Sequence, residues 1–527
     1  MNPGASAATG SRGMVTSPHR LASEAGIAII RQGGNAIEAA IAIASTLAVT
    51  YPHFCGLGGD AVWLVADREG RRQSFLGIGQ AALNSTGIDQ LPLRGPGAAI
   101  TSAATVDSWR HAFEFSIDHW GGRLGFPVLL DAAIGHAENG FPLTPSQDFW
   151  LRFRGKEIDK WPGFTELFLP DGRPPAPGDR FVQPQLATSL KALAKHGARE
   201  FYVGELAHRL AAGLAAAGSP IGLEDLKRTR TVAAAPIGID YGEVRLLGPP
   251  PPTQGVSTLM IMAILDRLER TGVEEGSADY YHACVEAVKQ AFLGRDRIAD
   301  PDFVAQDVES WLAAGPIAAK ATAIDRQHAL PWPQPFRTGD TVFFAATDNH
   351  RRGVSVLQSI YFDWGSGVVA GDTGVLWQNR GAAFSLVPGH PNELRPGKRP
   401  FYTLNPGMGL KAGLPHLLYG TQGADGQPQT LSLLLTRLLD HGLSPSEALR
   451  RPRFLLGRTF SDSRDSLKLE ADAGEAVFAE LARRGHQISP IDSLSPLAGQ
   501  AGIIRIDADG SLSGAHDPRS DGCALAW

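Results

Sequence analysis

The sequence predicts an α+β fold in which helices cover sheets. Two helical segments open the chain, two apolar runs flank a short turn at DNHRRG (348–353), and helical and strand-like stretches follow one another with no internal repeat.

His19 to Gln32 carries apolar residues at helical spacing (Leu21, Ala25, Ala28, Ile29), and Gly33-Gly34 supplies the left-handed stop that ends such a helix. Asn35 then caps a second helix over 36–49, which is apolar on nearly every side and so reads as buried. After PHFCGLGGD (52–60), the β-branched and aromatic content of AVWLVADREGR predicts a strand. Residues 103–245 read as mainly helical with proline-marked breaks, and 280–301 as an amphipathic helix stopped at Asp300-Pro301. PWPQPFRTGD (331–340) holds three prolines in ten residues, so it is expected to be an exposed connector. Beyond it, TVFFAATD and GVSVLQSIYFDWGSG predict a hairpin. Gly/Pro-rich loops, helices at 429–441 and near 475–484, and a last strand at GIIRID complete the chain.

Composition excludes several classes. With 527 residues, 43% hydrophobic and 20% charged, the chain buries a sizeable core and is not of a disordered or fibrous type. A net charge of −5 builds no basic field for nucleic acid or an anionic membrane surface. The longest apolar stretch (36–49) contains Glu38 and falls short of the ~20 residues a membrane span needs. The N-terminal stretch has no secretory core, and Cys55, Cys284 and Cys523 are too few and scattered for a disulfide framework. A cytoplasmic protein with neither nucleic-acid nor membrane partner is expected.

Most short motifs weaken on inspection. GLGGDA (56–61) fits the dinucleotide fingerprint formally, but a helix precedes it and a strand follows, the reverse of what phosphate binding needs. GPPPPTQG (248–255) reads as a rigid loop packed within the protein. Neither HExxH nor paired-Cys spacing appears, so no metal and no cofactor is expected. With no nucleophile elbow or Walker loop either, residue-level reading stops at an α+β enzyme or binding protein.

The order of blocks carries more. MVTSPHRLASEAGIAIIRQGGNAIEAAIA (14–42), PHFCGLGGD (52–60), PPPPTQG (249–255), HACVEAVKQAFLGRDRIADP (282–301), GKRPFYTLNPGM (397–408) and DPRSDG (517–522) resemble the gamma-glutamyltransferase family of N-terminal-nucleophile (Ntn) hydrolases along nearly the whole chain. The resemblance implies a four-layer αββα sandwich made as a precursor that cuts itself before a threonine. Here that bond is Asp340–Thr341, giving a large subunit 1–340 and a small subunit 341–527 that together form one catalytic domain. The number of such pairs per assembly stays open, a dimer of pairs included. Cleavage would free the Thr341 α-amine, whose ordinary pKa of roughly 7.7–8.0 suits it to serve as base for its own hydroxyl. The family places a second hydroxyl eighteen positions on, which is Ser359 here; counted from the decoy Gly371-Asp372-Thr373, the same step reaches Pro391. The family's oxyanion-hole amides correspond to Gly423 and Ala424 in GTQGADG.

The departures bear on substrate. At the position of the arginine that grips the α-carboxylate in gamma-glutamyl enzymes stands Ile78; the paired serines have become Tyr402 and Thr403. The acids that hold the substrate amine are replaced by Arg380 and Ala383, and an asparagine by Tyr361. A glutamyl ammonium would face Arg380, a like-charge cost, whereas a short amine-free carboxylate amide would pair with it. The aromatic residues Tyr361, Phe362, Trp364, Phe401 and Tyr402 are expected to crowd the pocket. The pattern is similar to family members that hydrolyse oxamate to oxalate and ammonia in cytoplasmic purine (allantoin) breakdown. The alternatives are a gamma-glutamyl hydrolase or transferase, a glutaryl (cephalosporin-type) acylase, and an uncleaved, non-catalytic binding protein.

Overall fold

The computed structural model describes residues 7–158, 160–268, 272–332, 340–458 and 463–527. Two antiparallel seven-stranded sheets lie at its centre. In one, the strand order is Cys523–Ala526, Gly13–Ser17, Asp340–Asp348, Gly353–Tyr361, Asp60–Ala66, Arg72–Gly77 and Val232–Ala234. In the other it is Ala7–Gly10, Leu512–His516, Ala501–Ile506, Leu414–Thr421, Gly407–Lys411, Val244–Gly248 and Ile237–Tyr241.

Side chains alternate across a strand, and here both faces are covered. From Asp340–Asp348, Val342, Phe344 and Ala346 enter the cluster beneath the helices Arg20–Arg31 and Ala36–Thr50. Phe343 and Ala345 point the other way, into a layer between the sheets with Met14, Leu357, Met408, Leu418 and Ile504. The outer face of the second sheet (Leu246, Leu417, Tyr419, Ile503) packs on the helices Gly255–Arg267, Ala278–Phe292 and Gln427–Leu439. The layer order is therefore αββα, and TVFFAATD is a continuous apolar run because it is buried on both faces. Phe343 fits only because Gly420 lacks a side chain: a Cβ there would lie 2.1 Å from the ring.

The opening helices begin and end as expected. The His19 side chain caps the first, and Gly33 at φ +86° follows it. Asn35 and Glu38 form a capping box on the second. Glu38 is the one carboxylate in this apolar helix, and it is satisfied by the N–H groups of Asn35, Arg123 and Leu124.

GIIRID is not the last strand, since Leu512–His516 and Cys523–Ala526 follow it, and two boundaries also differ from expectation. The helix starting at Ala278 ends at Phe292, ahead of Asp300-Pro301, because Arg295 turns away to ion-pair with Asp425 at 2.6 Å. AVWLVADREGR is not one strand: the strand Asp60–Ala66 gives way to a turn held by Asp67, and the return strand is Arg72–Gly77. Residues 333–339 of the proline-rich connector lie outside the described residues. Cys55, Cys284 and Cys523 are buried free thiols. Among the described residues no helix is long and apolar enough to cross a membrane.

Candidate active site

Thr341 sits in the hairpin that the sequence predicts. Asp340 pairs with Tyr361 and Val342 with Gln358, so Thr341 alone faces Ser359 and Ile360 across a bulge. The ladder therefore brings the two hydroxyl residues of the sequence reading opposite one another. Thr341 and Ser359 are both buried. The Ser359 hydroxyl accepts the Tyr361 N–H at 2.8 Å. On its other side, Ser359 pairs with Asp60, at the end of GLGGDA. The glycines of that loop serve close backbone approach, not phosphate: a Cβ on Gly59 would lie 2.2 Å from the Ser359 carbonyl oxygen, and one on Gly58 2.3 Å from that of Leu376. The decoy Thr373 ends a 3₁₀ turn, and its hydroxyl donates to the Ala370 carbonyl at 2.7 Å.

Gly423 and Ala424 turn the chain between the strand Leu414–Thr421 and the helix Gln427–Leu439. Both have positive φ, +122° and +44°, and among the described residues neither N–H donates to a protein acceptor. Gln254, from the PPPPTQG loop, ties this turn to the Tyr402–Thr403 segment by donating to the carbonyls of Ala424 (2.7 Å) and Thr403 (2.8 Å). The loop is thus internal and rigid, as expected.

Arg380 is fully buried, its guanidinium carbon 3.7 Å from the ring centroids of both Tyr361 and Tyr402. Nη1 donates to the Thr403 hydroxyl at 3.4 Å. Nε and Nη2 have no partner, and no carboxylate ion-pairs with Arg380 among the described residues. The Tyr402 hydroxyl donates instead to Asp60, whose other oxygen accepts the N–H groups of Gly79 (2.9 Å) and Ala104 (2.8 Å). Burial pushes Asp60 up to about 6 and the Tyr402 hydroxyl well above its ordinary value. Tyr361 reaches its place through a left-handed backbone (φ +79°), unusual for an aromatic residue. Ile78, at the position of the missing arginine, lies with Tyr402 in the apolar layer between the sheets.

The expected aromatic crowding is only partly realised. Tyr361 and Tyr402 flank Arg380, and Phe362 lies against Tyr361 with Ala383. Trp364 turns into the helical layer, against His53, Phe164 and Phe168, because its own φ is +61°. Phe401 packs with Val256 and Ile298 under Arg295.

Sequence reasoning passed over Asp60, Gln254 and Gln427. Gln427, at the start of its helix, is fully buried and directs Nε2 to the Thr341 hydroxyl at 3.5 Å. Helix-start position was the only sequence signal for it. One group of metal-ligand type, His282, Glu286 and His486, also converges. Its donors are engaged: Glu286 pairs with Lys289 at 2.7 Å, and His282 bonds both His486 and the Asp325 carbonyl at 2.8 Å.

An αββα sandwich whose central hairpin presents a buried threonine is the architecture of an Ntn hydrolase, a class that breaks amide bonds. Residues 22–527 match the gamma-glutamyltranspeptidase family, and the chain belongs to it. It is 44% identical to an oxamate amidohydrolase proenzyme of Klebsiella pneumoniae over 98% of each chain. It is 40% identical to a glutathione hydrolase-like proenzyme of Bacillus subtilis, again over 98% of each. The crystal structure of a cephalosporin acylase from Bacillus halodurans superposes with a TM-score of 0.91 at 32% identity, over 99% of this chain and 97% of that one.

Proposed function

We propose that the chain is the precursor of an amidohydrolase acting on a short, amine-free carboxylate amide, with oxamate as the substrate and oxalate and ammonia as products. The observation that carries this is Arg380. A buried guanidinium with two unpartnered nitrogens and no carboxylate at ion-pair distance among the described residues, Asp60 acting on it only from farther off, is costly, and a substrate carboxylate would complete it. An ammonium in its place would add a second buried cation. The oxamate amidohydrolase proenzyme among the relatives supports the same reading.

In this reading the chain cuts itself at Asp340–Thr341 into subunits 1–340 and 341–527. The freed α-amine takes the proton of the Thr341 hydroxyl as Oγ1 bonds to the amide carbon, and the carbonyl electron pair moves onto oxygen. The N–H groups of Gly423 and Ala424 hold that oxyanion, and Ser359 orients the amine. The C–N bond then breaks, and the ammonium returns its proton to nitrogen, which leaves as ammonia. Water attacks the acyl-threonine ester with the same amine as base, releasing the dicarboxylate and restoring the hydroxyl. A cytoplasmic place in purine (allantoin) breakdown follows from this substrate.

Ammonia release from oxamate by the cleaved protein tests the reading, with gamma-glutamyl and glutaryl amides in parallel. Release from oxamate alone supports it. Turnover of the glutaryl amide alone would favour the acylase reading that the 0.91 structural likeness allows. Turnover of the gamma-glutamyl amide alone would overturn the Arg380 grip.

A further inference from the structure

Gln427 is held so that one half of its carboxamide serves Thr341 and the other half serves nothing in the protein. Nε2 donates to the Thr341 hydroxyl at 3.5 Å, which leaves Oε1 as the acceptor end. That oxygen is buried and has no hydrogen-bond partner among the described residues, and the whole side chain is 0% exposed. A buried carbonyl oxygen left unpaired is unfavourable and calls for a partner; Gln427 differs from other buried glutamines with such an oxygen, Gln147 and Gln183 among them, in that its amide reaches Thr341. The residue starts its helix directly after Gly423–Gly426, so its side chain is fixed relative to the turn that would hold the oxyanion. Gly426 donates its N–H to the Gly423 carbonyl at 2.6 Å and tightens that link.

A substrate carbonyl attacked by Thr341 has two other arms: the acyl group, which Arg380 would hold, and the leaving nitrogen. A primary carboxamide carries two N–H donors on that nitrogen. One N–H of oxamate lies against its own carboxylate, whereas the other has no acceptor within the molecule, so a protein acceptor beside the nucleophile would serve it. We infer that Gln427 Oε1 accepts an N–H of the substrate's primary carboxamide, making Gln427 a residue that favours an amide over an ester as substrate. As the C–N bond breaks, the nitrogen takes its third proton from the Thr341 ammonium and keeps its bond to Oε1 until it departs as ammonia. This rests on the amide-hydrolase reading, but not on which acyl group Arg380 accepts.

The test compares two substrates with one acyl group and different leaving groups: oxamate, with two N–H donors, and monomethyl oxalate, with none. Both give the same acyl-threonine. Gln427→Met also removes the donor to Thr341, so both substrates should slow, but kcat/KM for oxamate should fall about tenfold to a hundredfold further than that for the ester. An equal fall for both, or no fall for oxamate, would overturn the inference, since a merely structural role moves both alike. Gln427→Glu, which keeps an acceptor but loses the donor to Thr341, should retain more of the amide activity relative to ester than Gln427→Met does. If Gln427→Met remains uncut by intact mass, the comparison is made with Gln427→Lys, which keeps a donor for Thr341 and removes the acceptor. There a fall of about tenfold or more in the amide-to-ester ratio supports the inference, and an unchanged ratio overturns it. If wild-type protein ignores oxamate, the acyl-group reading has failed. The same comparison is then run with glutaramate against monomethyl glutarate, or glutamine against its γ-methyl ester, whichever acyl group is turned over, and the outcomes keep their meaning.

Discussion

Arg380 and Tyr402 are stacked, the guanidinium carbon 3.7 Å from the ring centroid, while the Tyr402 hydroxyl is committed to Asp60. The tyrosine thus offers the cation its face, with its hydroxyl proton given to Asp60. The Tyr361 ring lies at the same distance. Two aromatic faces stabilise a buried guanidinium in part, and its edge is where hydrogen bonds form. Under the proposed function, that edge would take a planar, bidentate anion.

Arg380→Met should therefore separate binding from folding. Losing one partner of a buried charge pair costs about 2–5 kcal/mol, so kcat/KM for the carboxylate amide should fall at least about 30-fold. Without ligand, removing a buried cation that makes no ion pair should leave thermal stability unchanged or raise it. Arg380→Lys should not rescue activity, because an ammonium neither stacks nor pairs bidentately. A destabilised Arg380→Met protein with normal KM would assign Arg380 to structure.

Asp60 gives a pH signature. Burial raises its folded-state value to about 6, against about 3.9 in an unfolded chain. The folded protein therefore binds the extra proton between these values. The contribution is fully present below about pH 4 and is lost as pH rises through about 6. Asp60→Asn keeps an oxygen for the Gly79 and Ala104 amides and removes the titration. The stability of wild type minus that of Asp60→Asn should fall by up to about 3 kcal/mol from pH 4 to pH 8. Denaturant melts at both pH values check this; a pH-independent difference would refute it.

The hairpin, the capped opening helices and the layer order were legible because they depend on local pattern: alternation, caps and turn residues at fixed spacing. Ser359 was legible by counting, and the bulge opposite Thr341 shows why the spacing is kept. The substrate side was less so. Trp364 and Tyr361 both adopt positive φ, so their side chains leave the path that strand alternation would give them, and only Tyr361 turns to Arg380. Asp60, Gln254 and Gln427 come from separate elements that meet only when both sheets are stacked. No sequence window contains more than one of them.

The turn at Gly423 and Ala424 separates backbone from side-chain contributions. Ala424 at φ +44° lies in the left-handed region, where an alanine is tolerated at a cost of about 1 kcal/mol. Ala424→Gly keeps the N–H, so kcat should stay within about threefold. Gly423 at φ +122° lies where only glycine is comfortable, although a Cβ there would meet nothing closer than Gly499 Cα at 3.8 Å. Gly423→Ala should therefore act by turning the amide, lowering kcat by about 10²-fold with little change in KM. Equal kcat in both variants would remove this turn from the oxyanion role.

Thr341 carries the decisive prediction. If it is both the bond-cutting and the amide-cutting nucleophile, Thr341→Ala should give one uncut chain by intact mass and no ammonia release. Thr341→Ser keeps a hydroxyl on the same backbone and should cut and turn over, more slowly because the missing methyl leaves the hydroxyl free to rotate in a site packed for threonine. Ser359→Ala removes the hydroxyl across the bulge without touching the nucleophile, so it should lower kcat about 10-fold to 100-fold while the chain still matures. Folding is checked separately, since Thr341 is buried between layers and its truncation removes one methyl and one hydroxyl at a cost of about 1–2 kcal/mol. A two-subunit, active Thr341→Ala protein would place the nucleophile elsewhere, and Thr373, with its hydroxyl already donated to Ala370, would be the next residue to replace.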